Sequence, residues 1–452
     1  MNNDFLQLPS LKTLSVDDNG DYYQVNAVSS TSDRPTCPQC GAENPYGHGS
    51  INPSFIDTPT HGKKVIIATE RKRYRCRSCL KTFVEPIDDL DETYAATKRL
   101  VAYIKQRVFK ATFSKVAREV GLDEKTVRNI FAAHAQQMGK SYQFETPRVL
   151  GIDELGLLGT ARCIVTNIEQ QTICDLLPAR TKEVITLYFQ ELKNSKSVEV
   201  VTMDMWKPYK DVAQLLFPKA AVVVDKFHIS KNLNDCFNEA RKAIKSSLLP
   251  KQKRRLNNDE VLLKMRTFDL SPDQMETVQS WCDEFGELGH AYAAKESFMV
   301  ITDQHLTKDE ARREIVSWLK CLDPSVKPFF EPFLTSLSNW QEGILNGFEH
   351  RYTNAYTESM NRIIKDKVRI GRGYSFEVIR ALMVYDQDAI KAGSTSLKQR
   401  VRREKMTMNF STISRIMYDA PREYEIVEEI VTKYYGAKIS TLCDKLEAGV
   451  FE

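Results

Sequence analysis

Three acidic residues stand where packing alone gives no reason for a charge. Asp153 closes the apolar run RVLGID, Asp204 follows the run VEVVTM, and Glu358 opens a helical stretch that continues to Lys365. A carboxylate at the end of an apolar strand gives up hydration and needs a partner in return. Two such groups brought together repel, and a hard divalent cation such as Mg²⁺ or Mn²⁺ can hold both and still bind phosphate. With Glu358 as the third ligand, Asp153 and Asp204 suit a site for two such ions, the arrangement that serves phosphodiester chemistry. Asn361, Arg362 and Lys365 follow Glu358 along one helical face, where amide and cationic groups would meet phosphate. Asp225 is an open alternative for the second position, because it also ends an apolar run (AAVVV) and is followed by His228.

A second constellation is built from sulfur. Cys37-Pro-Gln-Cys40 and Cys76-Arg-Ser-Cys79 are paired cysteines two residues apart. Each pair fits a tight turn, and together they supply four thiolates for one structural Zn²⁺. Lys64 to Tyr74 (KVIIATERKRY) reads as the strand leading into the second turn, and His48 and His61 are substitute ligands in reach of the same segment. A redox role is the competing reading of CxxC, but two such pairs with basic flanks favour metal.

These residues need elements to position them, and the expected fold class is multidomain α+β. Residues 1–35 read as a flexible N-terminal segment and 36–87 as a zinc ribbon. Residues 88–143 turn helical. Phe113 to His134 carries two apolar faces around Gly121, with Asp123 as the N-cap of the second helix. This is a helix-turn-helix pattern, and its second helix would offer Lys125, Thr126, Arg128 and Asn129 to a DNA major groove. Residues 144–231 alternate strands and helices in the order strand, strand, strand, helix, strand, helix, strand, which is an RNase H-like α/β core. In such a sheet the first and fourth strands are adjacent, which favours Asp204 over Asp225 and leaves Asp225 and His228 as accessory groups. Residues 232–346 read as an all-α insertion, 347–395 as the closing part of the core with Glu358, and 396–452 as a C-terminal helical tail.

The net charge of +4 is small, but it is unevenly spread. Lys63, Lys64, Arg71, Lys72, Arg73, Arg75, Arg77 and Lys81 surround the single acid Glu70. A second run holds Arg241, Lys242, Lys245, Lys251, Lys253, Arg254 and Arg255, and a third Lys398, Arg400, Arg402, Arg403 and Lys405. Three separate cationic runs point to a polyanion such as the DNA backbone. No apolar run approaches the ~20 residues of a membrane span, and the N-terminus lacks a secretory pattern. The expected location is cytoplasmic, and nucleoid-associated when DNA is bound.

In combination, the motifs resemble insertion-sequence DDE transposases of the ISL-three type. The resemblance is carried by Gly151-Ile-Asp153-Glu154, by Met203-Asp204-Met-Trp206-Lys-Pro-Tyr209, and by Asp225-Lys-Phe-His228. Thr357-Glu358-Ser-Met-Asn361-Arg-Ile-Ile-Lys365 and Gly371-Arg-Gly373-Tyr-Ser-Phe376 extend it. Leu80 departs from the pattern, standing where a glycine often follows the second cysteine turn. The resemblance implies that Asp153, Asp204 and Glu358 are the catalytic acids. The implied activity is binding to terminal inverted repeats, then metal-dependent cleavage and strand transfer into target DNA, by a homodimer or larger assembly. A non-catalytic DNA-binding regulator, and an RNase H-type nuclease or resolvase without strand transfer, are the rival readings.

The division of cationic residues is testable. Arg128→Ala should weaken binding to the element's own ends more than to random duplex, because a base contact carries ~1–3 kcal/mol of discrimination. Lys253→Ala, among Lys251, Arg254 and Arg255, should weaken both equally and flatten the salt dependence. Competition gel shifts at several salt concentrations distinguish the two, and equal loss of specificity would contradict the assignment.

Overall fold

The computed structural model describes residues 4–30 and 34–385. The expected C-terminal tail and the cationic run Lys398 to Lys405 lie outside the described residues. Within them the chain forms two compact units, residues 4–143 with 366–385, and residues 144–365.

The first unit begins with a correction. Irregular chain was expected over residues 1–35, yet β1 (Leu11–Asp18) and β2 (Tyr22–Ser29) form an antiparallel hairpin. Val25 and Ala27 point inward from β2 and pack with Leu6, Leu8, Leu11, Phe55, Val65 and Ile67. Each large side chain so buried contributes ~1.5–3 kcal/mol, enough to order a polar-looking segment. Next come β3 (Tyr46–Ile51), β4 (Ser54–Thr60), β5 (Lys63–Arg75), β6 (Thr82–Val84), β7 (Leu90–Asp91) and β8 (Ala96–Thr97). The long β5 is the hub, pairing parallel to β2 and antiparallel to β3, β4 and β6.

The two cysteine turns flank this hub. Cys37 Sγ lies 3.7 Å from Cys79 Sγ, and Cys40 Sγ lies 3.5 Å from Cys76 Sγ. Four sulfurs bound tetrahedrally at ~2.3 Å from zinc stand about 3.8 Å apart, so the cage has zinc dimensions. The cluster consists of Cys37, Cys40, Cys76 and Cys79, without His48 or His61. The backbone N–H groups of Cys79 and Ser78 point at Cys76 and hold its thiol down to about 6. That favours the thiolate form that binds metal.

Three helices follow, α1 (Lys98–Arg107), α2 (Phe113–Val120) and α3 (Glu124–Ser141). Thr97, Thr112 and Asp123 cap them through side-chain oxygens. Gly121, at φ +80°, closes α2 in the left-handed conformation that makes the turn into α3. Segment 366–385 packs onto these helices, with Phe113 N–H donating to Tyr374 Oη at 3.0 Å and Lys367 Nζ donating to Phe109 O at 3.3 Å. The segment read as one closing piece, 347–395, is therefore divided between the two units.

The second unit is a five-stranded sheet with helices on it. Its strands are β9 (Val149–Leu157), β10 (Thr160–Asn167), β11 (Thr172–Leu177), β12 (Val200–Met203) and β13 (Ala221–Val224), with α4 (Lys182–Gln190) and α5 (Lys207–Leu216) between them. The spatial order is β11-β10-β9-β12-β13, antiparallel across the first three and parallel from β9 to β13. Eight α-helices, α6 (Lys226–Ser247) to α13 (Gln341–His350), fill the insertion. It starts at Lys226, six residues before the expected Asn232, because α6 begins immediately after Asp225. Trp281, Trp318 and Trp340 are buried in its core as expected. Two helices close the described chain, α14 (Ala355–Gly371) and α15 (Phe376–Val384).

Zinc removal supplies a test of this organisation. Elemental analysis of the reduced full chain should give one zinc. Chelation should speed amide exchange in β5 and β6 and leave β9 to β13 protected. Zinc well below one per chain would contradict the cage.

Candidate active site

The parallel part of the sheet ends in acids. β12 pairs with β9 only from Val149 to Gly151, so the two strands part just before Asp153. Asp153 is thus not at the end of its strand, as the apolar run suggested. It lies mid-strand opposite Ile164 of β10, on the edge where β12 has stopped. Asp204 follows β12 and Asp225 follows β13, so all three carboxylates reach the same edge. Glu358 comes from the first turn of α14.

Ligand atoms of Asp153, Asp204 and His228 all lie within 4.8 Å of one another. Asp153 is held at both oxygens, Oδ1 accepting from Glu154 N–H at 2.8 Å and Oδ2 from Asn361 Nδ2 at 2.8 Å. Asp225 Oδ1 accepts from Asn354 N–H at 3.3 Å. Three further oxygens, Asp204 Oδ1, Asp225 Oδ2 and Glu358 Oε1, are buried without a hydrogen-bond donor. Buried acceptors are nearly always satisfied, so three such oxygens gathered here fit the ligand set of a divalent cation.

The acidities agree with this crowding. Burial pushes Asp153 up to about 7, with the charges of Asp204, Asp225 and Glu154 adding to it against the Glu154 N–H bond. Glu358 rises to about 8, from burial first, then the crowding of the neighbouring Asp225 carboxylate, then Asp153, with Arg362 opposing. Asp204 is also raised by burial, against the pull of His228 and Arg180. Carboxyls that hold protons near neutrality are poised to release them to a divalent ion.

Arg180 stands at the rim. Its guanidinium pairs with Glu154, lies 4.0 Å from Asp204 Oδ2, and stacks 4.2 Å from the Trp206 ring. The residue has no sequence signal, because it sits in the loop after β11. Lys365, grouped with Glu358 on one helical face, is exposed and takes no part in the cluster.

The expected DNA-binding side chains divide by what already holds them. Thr126 donates its hydroxyl to Asp123, and Arg128 pairs with Glu124 while lying over Phe113. Lys125 and Asn129 are exposed. In the insertion, Arg255 pairs with Glu284 and stacks 4.4 Å from Trp281, and Arg241 is buried against Glu260. Lys251 and Arg254 are exposed, and Lys253 is half-buried.

Three family models match the chain. One described as a transposase matches residues 150–383. One described as the zinc-finger of transposases IS204/IS1001/IS1096/IS1165 matches 33–79, and one described as the helix-turn-helix domain of transposase family ISL3 matches 96–135. No curated protein matches.

One buried side chain ties the site together. Asn354, fully buried before α14, lies with Oδ1 3.0 Å from Thr202 Oγ1 and 2.9 Å from Thr357 Oγ1. Its Nδ2 donates to Ile152 O at 3.0 Å. Thr357 Oγ1 in turn meets Thr166 Oγ1 at 2.7 Å. A Cβ at Gly151 would stand 2.8 Å from Thr357 Oγ1 and 2.4 Å from Thr166 Oγ1, so only glycine lets α14 dock. Asn354→Ala should destabilise this unit by about 3 kcal/mol, since it strands buried hydroxyl and carbonyl groups. Denaturant unfolding followed by tryptophan fluorescence measures it, and a loss under ~0.5 kcal/mol would contradict the network's role.

Proposed function

The chain belongs to the ISL3 family of insertion-sequence transposases, and from that premise we propose that Asp153, Asp204 and Glu358 carry its DNA cleavage and strand transfer. The observation that carries this reading is the gathering of buried carboxyls at one place, with Asp153 and Asp204 in one candidate metal cluster and oxygens of Asp204 and Glu358 left without donors. Those three residues would hold two Mg²⁺ or Mn²⁺ ions, which supply an activated attacking oxygen and stabilise the departing one.

The chain's own groups have distinct tasks in this scheme. Asn361 fixes the Asp153 carboxylate, and Asn354 fixes Asp225 and the start of the Glu358 helix. Asp225 and His228 line the same cluster as accessory groups. Arg180, beside Asp204 and stacked on Trp206, is placed to meet a phosphate. In the first step a water oxygen bonds to phosphorus and the 3′ oxygen leaves, freeing a 3′-hydroxyl at the element's end. In the second step that hydroxyl attacks a target phosphodiester and the target's own 3′ oxygen leaves. One P–O bond replaces another each time, so no external energy source is required.

The helix-turn-helix and zinc ribbon would bind the terminal inverted repeats, with Lys125 and Asn129 free to reach base edges. Two ends must be joined in one event, which calls for a homodimer or larger assembly on DNA. Among the described residues, no helix is long and apolar enough to cross a membrane.

The test uses Asp153→Asn, Asp204→Asn and Glu358→Gln, which keep size but remove a ligand charge. Each should lower cleavage of an end-containing duplex by orders of magnitude and leave its gel shift intact, with Mn²⁺ tried beside Mg²⁺. Asp225→Asn should lose less. If Asp225→Asn abolishes cutting while Asp204→Asn retains it, Asp225 is the second ligand. Normal cutting by Glu358→Gln would sink the three-acid scheme, and cutting without joining would favour the nuclease reading.

A further inference from the structure

The two cysteine turns of the zinc cage are built alike but end differently. In the first, Cys40 is followed by Gly41 at φ +71°, and Cys37 N–H bonds to Ala42 O at 2.9 Å. In the second, Cys79 is followed by Leu80 at φ +60°, and Cys76 N–H bonds to Lys81 O at 2.9 Å. Glycine adopts this left-handed backbone freely, whereas a side chain with a Cβ is strained there. Leu80 therefore occupies a position where its neighbouring turn shows the unstrained solution.

Leu80 bears a second cost. The residue is 61% exposed, so most of its apolar surface meets water. Single exposed leucines are ordinary. One that is also held in the left-handed region is not, because glycine would relieve both costs at once. Among the described residues, Leu158 is the other leucine with positive φ, and it too is exposed. Only Leu80 has cationic side chains on both sides within three positions, Arg77 and Lys81.

The surroundings say what the tip faces. From Arg71 to Val84 the chain has no acid. Lys72, Arg73, Arg75, Arg77 and Lys81 make no ion pair among the described residues. Arg75 Nε donates to Leu80 O at 3.2 Å, and Arg77 lies over the Tyr46 ring at 5.3 Å. An exposed apolar side chain on a cysteine turn, flanked by cations outside any ion pair among the described residues, matches the wedge that enters a DNA minor groove while lysine and arginine hold the flanking phosphates.

We infer that Leu80 is a minor-groove wedge, pressed between base pairs by the second cysteine turn while Arg75, Arg77 and Lys81 grip the backbone. The inference rests on the DNA-binding reading of the N-terminal unit. It assigns the zinc turn a role apart from α3, which suits the major groove. The strain is borne in the free protein, so the tip is already shaped before DNA arrives.

The backbone conformation makes the test unusually clean. Leu80→Gly and Leu80→Asn remove the wedge and relieve the strain, so both variants of the full chain should keep their zinc and melt no lower than wild type. Both should bind a short AT-rich duplex roughly tenfold more weakly and lose DNA bending measured by end-to-end energy transfer. Leu80→Met should retain both. The salt dependence should stay as in wild type, because every cation remains. A minor-groove ligand such as netropsin should displace wild type and have little effect on Leu80→Gly.

Wild-type binding and bending by Leu80→Gly would overturn the wedge. So would unchanged DNA affinity with an altered oligomeric state, which would assign Leu80 to a protein contact. The duplex need not carry the element's ends, since a wedge is sequence-tolerant. Failure of wild type to prefer its own flanking DNA would thus count against end recognition without touching this comparison.

Discussion

Like charges brought together must be held by something other than themselves. In this chain a neutral amide does that work for carboxylates drawn from four separate stretches of sequence. Asn354 reaches Ile152 of β9 and Thr202 of β12 with its side chain, Asp225 with its backbone N–H, and Thr357 of α14 with the same oxygen that meets Thr202. Each bond is neutral or accepted by a carboxylate, so none cancels the negative field of the cluster. The site stays electrostatically unsatisfied while its geometry is fixed. That combination lets a cation enter without rebuilding the framework, which is what preorganisation requires.

The cationic residues obey a related division. Arg71, Arg241 and Arg255 come from runs that looked uniform in sequence, yet each is committed within the fold. Arg71 is buried against Glu92 and the Glu85 carbonyl and Arg241 against Glu260, while Arg255, though exposed, is paired with Glu284 and stacked on Trp281. Guanidinium serves this purpose well because its flat fork can satisfy several acceptors and still stack. The neighbouring Lys72, Lys251 and Arg254 are left exposed to solvent. A charge run is thus a mixture of internal braces and free cations, and only contacts separate the two.

Much of the second unit was legible because its strands are short apolar runs separated by helical periodicity. The strands read from the apolar runs RVLGID, VEVVTM and AAVVV begin within two residues of those runs' starts, and the adjacency of the first and fourth follows from their order. Asp153 was misplaced at a strand end because β9 continues as a two-stranded ribbon with β10 after β12 has stopped, and alternation in ELGL is too brief to reveal it. The N-terminal hairpin escaped notice because β2 buries only Val25 and Ala27 fully, and its parallel partner β5 lies some forty positions away. Asn354 could be read as part of a motif but not as a keystone. Its partners lie 152 and 202 positions earlier in the chain, and no local pattern encodes a contact of that range.

The long insertion has a consequence for the order in which the protein is made. Asn354 lies 129 positions after Asp225. At about 5–20 residues per second, synthesis leaves an interval on the order of ten seconds between them. Throughout it the nascent chain already carries the zinc turns, the three recognition helices and all five strands of the sheet, but neither the amide that locks the acids nor Glu358. A ribosome that stalls or terminates inside the insertion therefore releases a chain that lacks Asn354 and Glu358 and also the segment 366–385 that packs onto α1 to α3. Each compact unit is thus closed by sequence that follows the insertion, so neither is finished until synthesis has passed it.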